Sequence, residues 1–151
     1  MKHMTKLLFA LFTFVLLGNP LMANGAVMAW GDDTGAQSDV PAGLSNVTAV
    51  AAGGKNSVAV KSDGTVVAWG ENNFGQLNIP LGLNNATAVA AGWGDIVALK
   101  SDGTVVAWGR NEWGQANVPA GLSNVTAIAS GQIHTLALKS DGTVAAWGHG
   151  G

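Results

Sequence analysis

The 151-residue chain is predicted to be an all-β repeat protein, on three observations. Trp30, Trp69, Trp108 and Trp147 recur at a constant spacing of 39 residues, and a fixed period in this range marks a repeat architecture. The run Leu99-Lys100-Ser101-Asp102-Gly103-Thr104-Val105-Val106-Ala107-Trp108-Gly109 returns almost letter for letter at residues 60–70 and 138–148. Finally, no useful window carries the 3.6-residue period of an amphipathic helix, whereas turn residues fall at regular intervals.

Each repeated run places two apolar stretches around an Asp-Gly pair, which signals a tight β-hairpin. Asp63-Gly64, Asp102-Gly103 and Asp141-Gly142 are accordingly structural, and are expected to form two-residue type I′ turns. The tryptophans of the 39-residue column, Trp30, Trp69, Trp108 and Trp147, are expected to pack inside the sheets.

Taken in order, residues 1–23 read as a signal peptide: two lysines, an apolar run from Leu7 to Leu17, a Gly-Asn-Pro break and a small-residue site near Ala23. The run is too short for the roughly 20 residues that span a bilayer, so cleavage and export are expected, with a secreted or periplasmic product and no membrane contact afterwards. Residues 24–151 hold a lone leading strand at 26–30 and repeat units at 31–69, 70–108 and 109–147.

Every unit opens with a Gly-rich loop, such as Gly70-Glu71-Asn72-Asn73-Phe74-Gly75-Gln76. A short stretch ending in Val40-Pro41, Ile79-Pro80 or Val118-Pro119 follows; proline cannot donate to a ladder, so it is at most a frayed edge strand. Next come a small-residue strand (Val47 to Gly53, Ala86 to Gly92, Val125 to Gly131), a three-residue loop and the hairpin. Strands such as Val66-Val67-Ala68-Trp69 are apolar on both sides, as in a sheet covered on both faces. Four short strands in about 40 residues form the blade of a β-propeller.

About three blades are present, below the 4–8 of ordinary propellers. The expectation is a partial propeller: a fragment of a longer one, or a homo-oligomer in which copies close the ring.

The run Val125 to Gly148, with the Gly-x-Asn-x-x-Gly-Gln loops at 70–76 and 109–115, resembles the repeat of the regulator of chromosome condensation family. The resemblance covers nearly all of the chain after the leader. It implies a β-propeller, and the short period and Val-Pro turn are similar to secreted bacterial members, the propeller-type β-lactamase inhibitor among them. The family histidine stands only at His134; Asn56 and Asp95 occupy its column in the other repeats. The family's guanine-nucleotide exchange role in the nucleus conflicts with a secretory leader.

Composition excludes several functions. There is no cysteine, hence no disulfide or thiolate metal site. Without Lys2 and Lys6, five Lys/Arg face nine Asp/Glu, a net charge of −4 that argues against nucleic acid. No histidine pair has metal-ligand spacing, and the Gly-rich loops precede no helix that could cradle a phosphate, so neither metal nor cofactor is implied. Asp95, His134 and Ser130 or Thr135 could be imagined as a triad, but no nucleophile elbow surrounds the serine, and an enzyme is not expected. Asn46, Asn85 and Asn124 start Asn-x-Thr sequons, read here as turn asparagines.

Unlike loop residues on a repeated scaffold are the layout of a binding surface, and aromatics with arginine are the types that anchor interfaces. One candidate patch is Trp93, Asp95, His134 and Lys55; a second is Asp32, Asp33, Glu71, Phe74, Arg110, Glu112 and Trp113. A protein partner is expected. The alternatives are a carbohydrate-binding propeller, with Trp93 and Trp113 stacking on sugar rings, and a structural repeat segment of a larger surface protein.

Overall fold

A computed structural model describes residues 26–149; the expected leader lies outside them. Among the described residues nine strands form three separate antiparallel sheets, each meandering in chain order. The first contains β1 (Val47–Ala52), β2 (Asn56–Lys61) and β3 (Val66–Gly70). The second contains β4 (Ala86–Ala91), β5 (Asp95–Lys100) and β6 (Val105–Gly109), and the third β7 (Val125–Ser130), β8 (His134–Lys139) and β9 (Val144–Gly148). The register repeats too: Val60 pairs with Val66, Leu99 with Val105, Leu138 with Val144. The sheets are the blades of an open propeller arc.

Each blade has three strands, not four. The stretch ahead of each proline joins no ladder, because its amides are used locally: Asn78 N–H donates to Gly75 O (3.0 Å) and Ile79 N–H to Leu77 O (3.0 Å). It is tied to the blade by side chains instead. Trp69 Nε1 donates to Gln37 O, Trp108 Nε1 to Gln76 O and Trp147 Nε1 to Gln115 O, each at 2.9 Å.

The Asp-Gly hairpins also differ from expectation. Gly64 N–H donates to Lys61 O (2.9 Å) and Lys61 N–H to Thr65 O (2.9 Å), which defines a three-residue loop: a type I turn closed by a glycine bulge. Only Gly64 takes a positive φ, +78°, and Asp63 does not. Asp63 Oδ1 instead accepts from Thr65 N (3.0 Å) and Thr65 Oγ1 (2.6 Å), a side-chain brace that the mirror-image turn does not require.

The core lies between blades. Val58, Val60 and Val66 of the first blade meet Ala86, Ile96, Ala98 and Trp108 of the second. One period on, Val97, Leu99 and Val105 meet Val125 and Ala137 of the third, with Ile128 and Trp147 packed alongside. Backbone bonds cross the same junctions: Ala86 N–H to Gly64 O and Val125 N–H to Gly103 O, both 3.0 Å.

Burial on both faces holds in the central strands of the first two blades: in β2, Asn56 to Val60 are buried without interruption although that blade meets one neighbouring blade among the described residues. In β5, Asp95 to Leu99 are buried without interruption, whereas β8 alternates exposed and buried. Trp69 and Trp108 are buried and Trp147 half-buried, as expected of the column. Trp30 is 81% exposed, and residues 26–30 form no strand. In the other units this stretch is zipped to the strand ahead of it; the matching residues here, 17–21, lie outside the described residues.

Candidate loop-face interface

The two candidate patches lie at one end of the arc. Because β2 starts where β3 ends, the loop entering each hairpin adjoins the loop leaving it. Glu71 N–H donates to Lys55 O, Arg110 N–H to Gly94 O and His149 N–H to Ile133 O, all at 2.8 Å. What the sequence separates into two loop sets is one continuous surface.

At its centre the Arg110 guanidinium is held between two rings, 4.9 Å from the Phe74 centroid and 5.0 Å from that of Trp93. Arg110 Nε and Nη2 both donate to Glu112 Oε2. The Arg110 side chain is only 14% exposed, while Trp93 and Phe74 remain 53% and 40% exposed. Arginine is thus the clamp and the rings are the contact surface. Each cation–π contact at such a site contributes about 0.5–1 kcal/mol.

Further along the same end, Trp113 packs against His149 edge-on, with ring centroids 4.7 Å apart. On the other side Lys55 Nζ lies 3.7 Å from Glu71 Oε1. An exposed pair of this kind adds little stability, ~0–1 kcal/mol, and serves to set the loop's charge pattern.

Asp95 does not belong to the accessible surface. It is fully buried, and Ser130 Oγ donates to its Oδ2 (2.6 Å) across the blade junction. Burial pushes its pKa up, against the opposing Ser130 bond. The serine proton is therefore directed at the carboxylate and not at His134, so the residues of the imagined triad are not arranged as a serine–histidine pair. His134 is exposed and makes no side-chain hydrogen bond among the described residues; its ring stands over Gly131.

Asp32 and Asp33 turn inward to their own loop, accepting from Thr34 Oγ1 (2.9 Å) and Ser38 N (2.8 Å). In the other repeats Asn72 and Asn111 hold Leu77 N and Ala116 N in the same way. Asp63, Asp102 and Asp141 brace their turns; hydrogen bonds from the Thr104 hydroxyl, its amide and Lys100 hold Asp102 at a pKa of about 2. Among the described residues no three His, Asp or Glu side chains converge.

Two positions carry the site without being singled out in the sequence. Gln76 and Gln115 are buried; their side-chain carbonyls accept from Phe74 N and Trp113 N (2.9 Å each), and their backbone carbonyls receive the blade tryptophans. They close the Gly-x-Asn-x-x-Gly-Gln motif, and its final glutamine was the available signal. It aims the aromatic two residues before it.

Repeated three-stranded blades with divergent loops define a propeller-repeat protein. A family model for the regulator of chromosome condensation (RCC1) repeat matches residues 47–76, 86–115 and 125–151, and the chain belongs to that family. Among solved structures it is similar to Prp20p from Saccharomyces cerevisiae, described for its binding to Gsp1p and histones: 20% identity, TM-score 0.69, covering 79% of this chain and 40% of that one. It is also similar to yeast RCC1 (Prp20) bound to Kap60, at 20% identity and TM-score 0.67, covering 79% and 38% of the two chains. The ectodomain of the Physcomitrella patens receptor kinase CR4 aligns at 26% identity and TM-score 0.58, covering 70% of this chain and 29% of that one. The chain therefore spans less than half the length of these proteins. No curated protein sequence matches it.

Proposed function

We propose that the protein is a secreted, non-catalytic RCC1-type propeller module that binds another protein through its loop face. The observation that carries this reading is the Phe74–Arg110–Trp93 sandwich, in which two large rings are held outward by a mostly covered arginine. Rigid aromatics lose little entropy on binding, and clustered aromatics with arginine are the composition of interface hot spots. The protein-binding described for Prp20p and yeast RCC1 points the same way, although the low identity of those structures carries the fold alone.

The test is cross-linking of the exported protein to its neighbours, followed by titration of the purified partner by calorimetry. Trp93→Ala is expected to weaken binding at least tenfold, and Asp141→Ala, at the far end of the blade, to leave it unchanged. Equal loss in both variants, or binding only to a glycan array through Trp93 and Trp113, overturns the protein-partner reading.

A further inference from the structure

The two ends of the blades differ in their electrostatics. At the hairpin end each turn aspartate meets the lysine two residues before it: Lys61 and Asp63 at 3.4 Å, Lys100 and Asp102 at 3.1 Å, Lys139 and Asp141 at 3.0 Å. That end is neutral pair by pair. In the loops of the other end four carboxylates, Asp32, Asp33, Glu71 and Glu112, stand against two cations, Lys55 and Arg110. Lys55 is paired with Glu71 and the mostly covered Arg110 with Glu112. Asp32 and Asp33 are exposed and have no cationic partner among the described residues. What this end presents to solvent is aromatic and negative.

The loop face already holds one cation of its own. Phe74 and Trp93 take the Arg110 guanidinium between them, and Glu112 Oε2 accepts from its edge. Glu112 Oε1 accepts no hydrogen bond among the described residues, and the Glu112 side chain is 58% exposed. The next residue is Trp113, whose indole is 47% exposed. Trp113 and His149 stand one 39-residue period after Phe74 and Arg110 and pack together in the same way, with imidazole in place of guanidinium. Beside the occupied sandwich there is thus a second ring next to an open carboxylate oxygen, without an arginine from this chain to fill it.

We propose that the loop face takes a cationic segment of its protein partner, with arginine or lysine side chains laid on Trp113 and Trp93 and met by Glu112 Oε1. This rests on the protein-binding reading above and names the chemistry of the partner. A cation over an indole is attracted by the ring quadrupole, and tryptophan is the strongest such platform. Opposite charge across an interface speeds encounter and turns away wrong partners. Asp32 and Asp33 are engaged within their own loop, so they contribute field and not contact. An acidic segment would bring further carboxylates to this end, where the more exposed cation, Lys55, is already beside Glu71.

The full chain is to be titrated with capped hexa-arginine, hexa-glutamine and hexa-glutamate peptides, read by tryptophan fluorescence and calorimetry. Hexa-arginine is expected to bind and the other two are not. Raising salt from about 0.1 M to about 1 M shortens the screening length from about 10 Å to about 3 Å and is expected to weaken binding about tenfold. Glu112→Gln and Trp113→Ala are each expected to weaken it about threefold or more. Asp141→Asn removes the same unit of charge at the hairpin end and is expected to leave binding unchanged. Trp113→Ala keeps Glu112 on Arg110, so it tests the surface even where Glu112→Gln disturbs the sandwich. Preference for either of the other peptides, binding indifferent to salt, equal loss in Glu112→Gln and Asp141→Asn, or native affinity in Trp113→Ala overturns the proposal. A cross-linked protein partner lost with Trp93→Ala, yet indifferent to salt and to Glu112→Gln, overturns this inference and leaves the protein-binding reading standing. Hexa-arginine binding with no protein partner cross-linked keeps the cation surface and removes that reading.

Discussion

Gly54 lies directly beneath the indole of Trp93: a Cβ at residue 54 would come within 2.1 Å of Trp93 Cδ1. The first blade thus supplies the floor on which an aromatic of the second blade rests, and the loop surface depends on how two blades sit together. Gly54→Ala is expected to displace the indole from Arg110 and to change the near-ultraviolet dichroism. Partner binding should fall nearly as far as in Trp93→Ala, while the urea midpoint moves little because Trp93 is not part of the core. A native near-ultraviolet spectrum in Gly54→Ala would show that the ring is placed by other contacts.

Trp108 ties the strandless stretch to the blade through Nε1 and Gln76 O (2.9 Å) while packing in the first junction. Trp108→Phe keeps a large apolar ring but leaves a buried carbonyl unpartnered, which costs about 1–3 kcal/mol. Trp108→Ala adds a cavity and is expected to cost about 3–5 kcal/mol. Urea unfolding followed by far-ultraviolet dichroism ranks the two, and a native midpoint in Trp108→Phe would remove the hydrogen bond from the explanation.

The carboxylates divide into two groups by the sign of their pH response. Asp102 is depressed to about 2 from 3.8 by the Thr104 and Lys100 bonds, so its stabilisation is present above pH 3.8 and is lost as pH falls through about 2. Asp95 is raised by burial, so it favours the folded state in acid and that stability is lost as pH rises from 3.8 through its folded value. Asp95→Asn keeps an acceptor for Ser130 and removes the buried charge. The variant is expected to match the native protein in stability near pH 3 and to exceed it at pH 7, read from urea midpoints across that range. A variant less stable than the native protein at both pH values would assign Asp95 an ionic contact that the structure does not contain.

One column of the junction is only half solved. Where Ser130 donates to Asp95 Oδ2 in the second junction, leaving Oδ1 without a partner, the first has Ala91, and both side-chain amide atoms of buried Asn56 lack a partner. Ala91→Ser places a hydroxyl at the equivalent position. It is expected to raise stability by about 0.5–1.5 kcal/mol, the net value of one hydrogen bond. Coupling is checked by a double-mutant cycle with Asn56→Ala, where the gain should vanish.

The architecture was legible because the sequence states it three times over: strand positions, hairpins and the blade tryptophans follow from the 39-residue period alone. The strand count was not, because Val40-Pro41 and its counterparts look like an edge strand until one asks where their amides go. The turn class was missed for a similar reason; Asp-Gly suits two turn types, and Thr65 decides between them through Asp63. Trp30 looked like core because its column is core, yet burial belongs to neighbouring strands and not to a column. At the site, Trp93, Phe74 and Trp113 were found as residues out of period. Their convergence on Arg110, and the concealment of Asp95, are relations between blades that no single repeat contains.

The uninterrupted burial of β5 beside the alternating pattern of β8 has a consequence for cooperativity. A row of like units joined only to their neighbours behaves as a one-dimensional chain, in which a terminal unit is held by one coupling and an internal unit by two. In a lone arc the amides of β7 to β9 would exchange with solvent before those of β5, fraying inward from the flank.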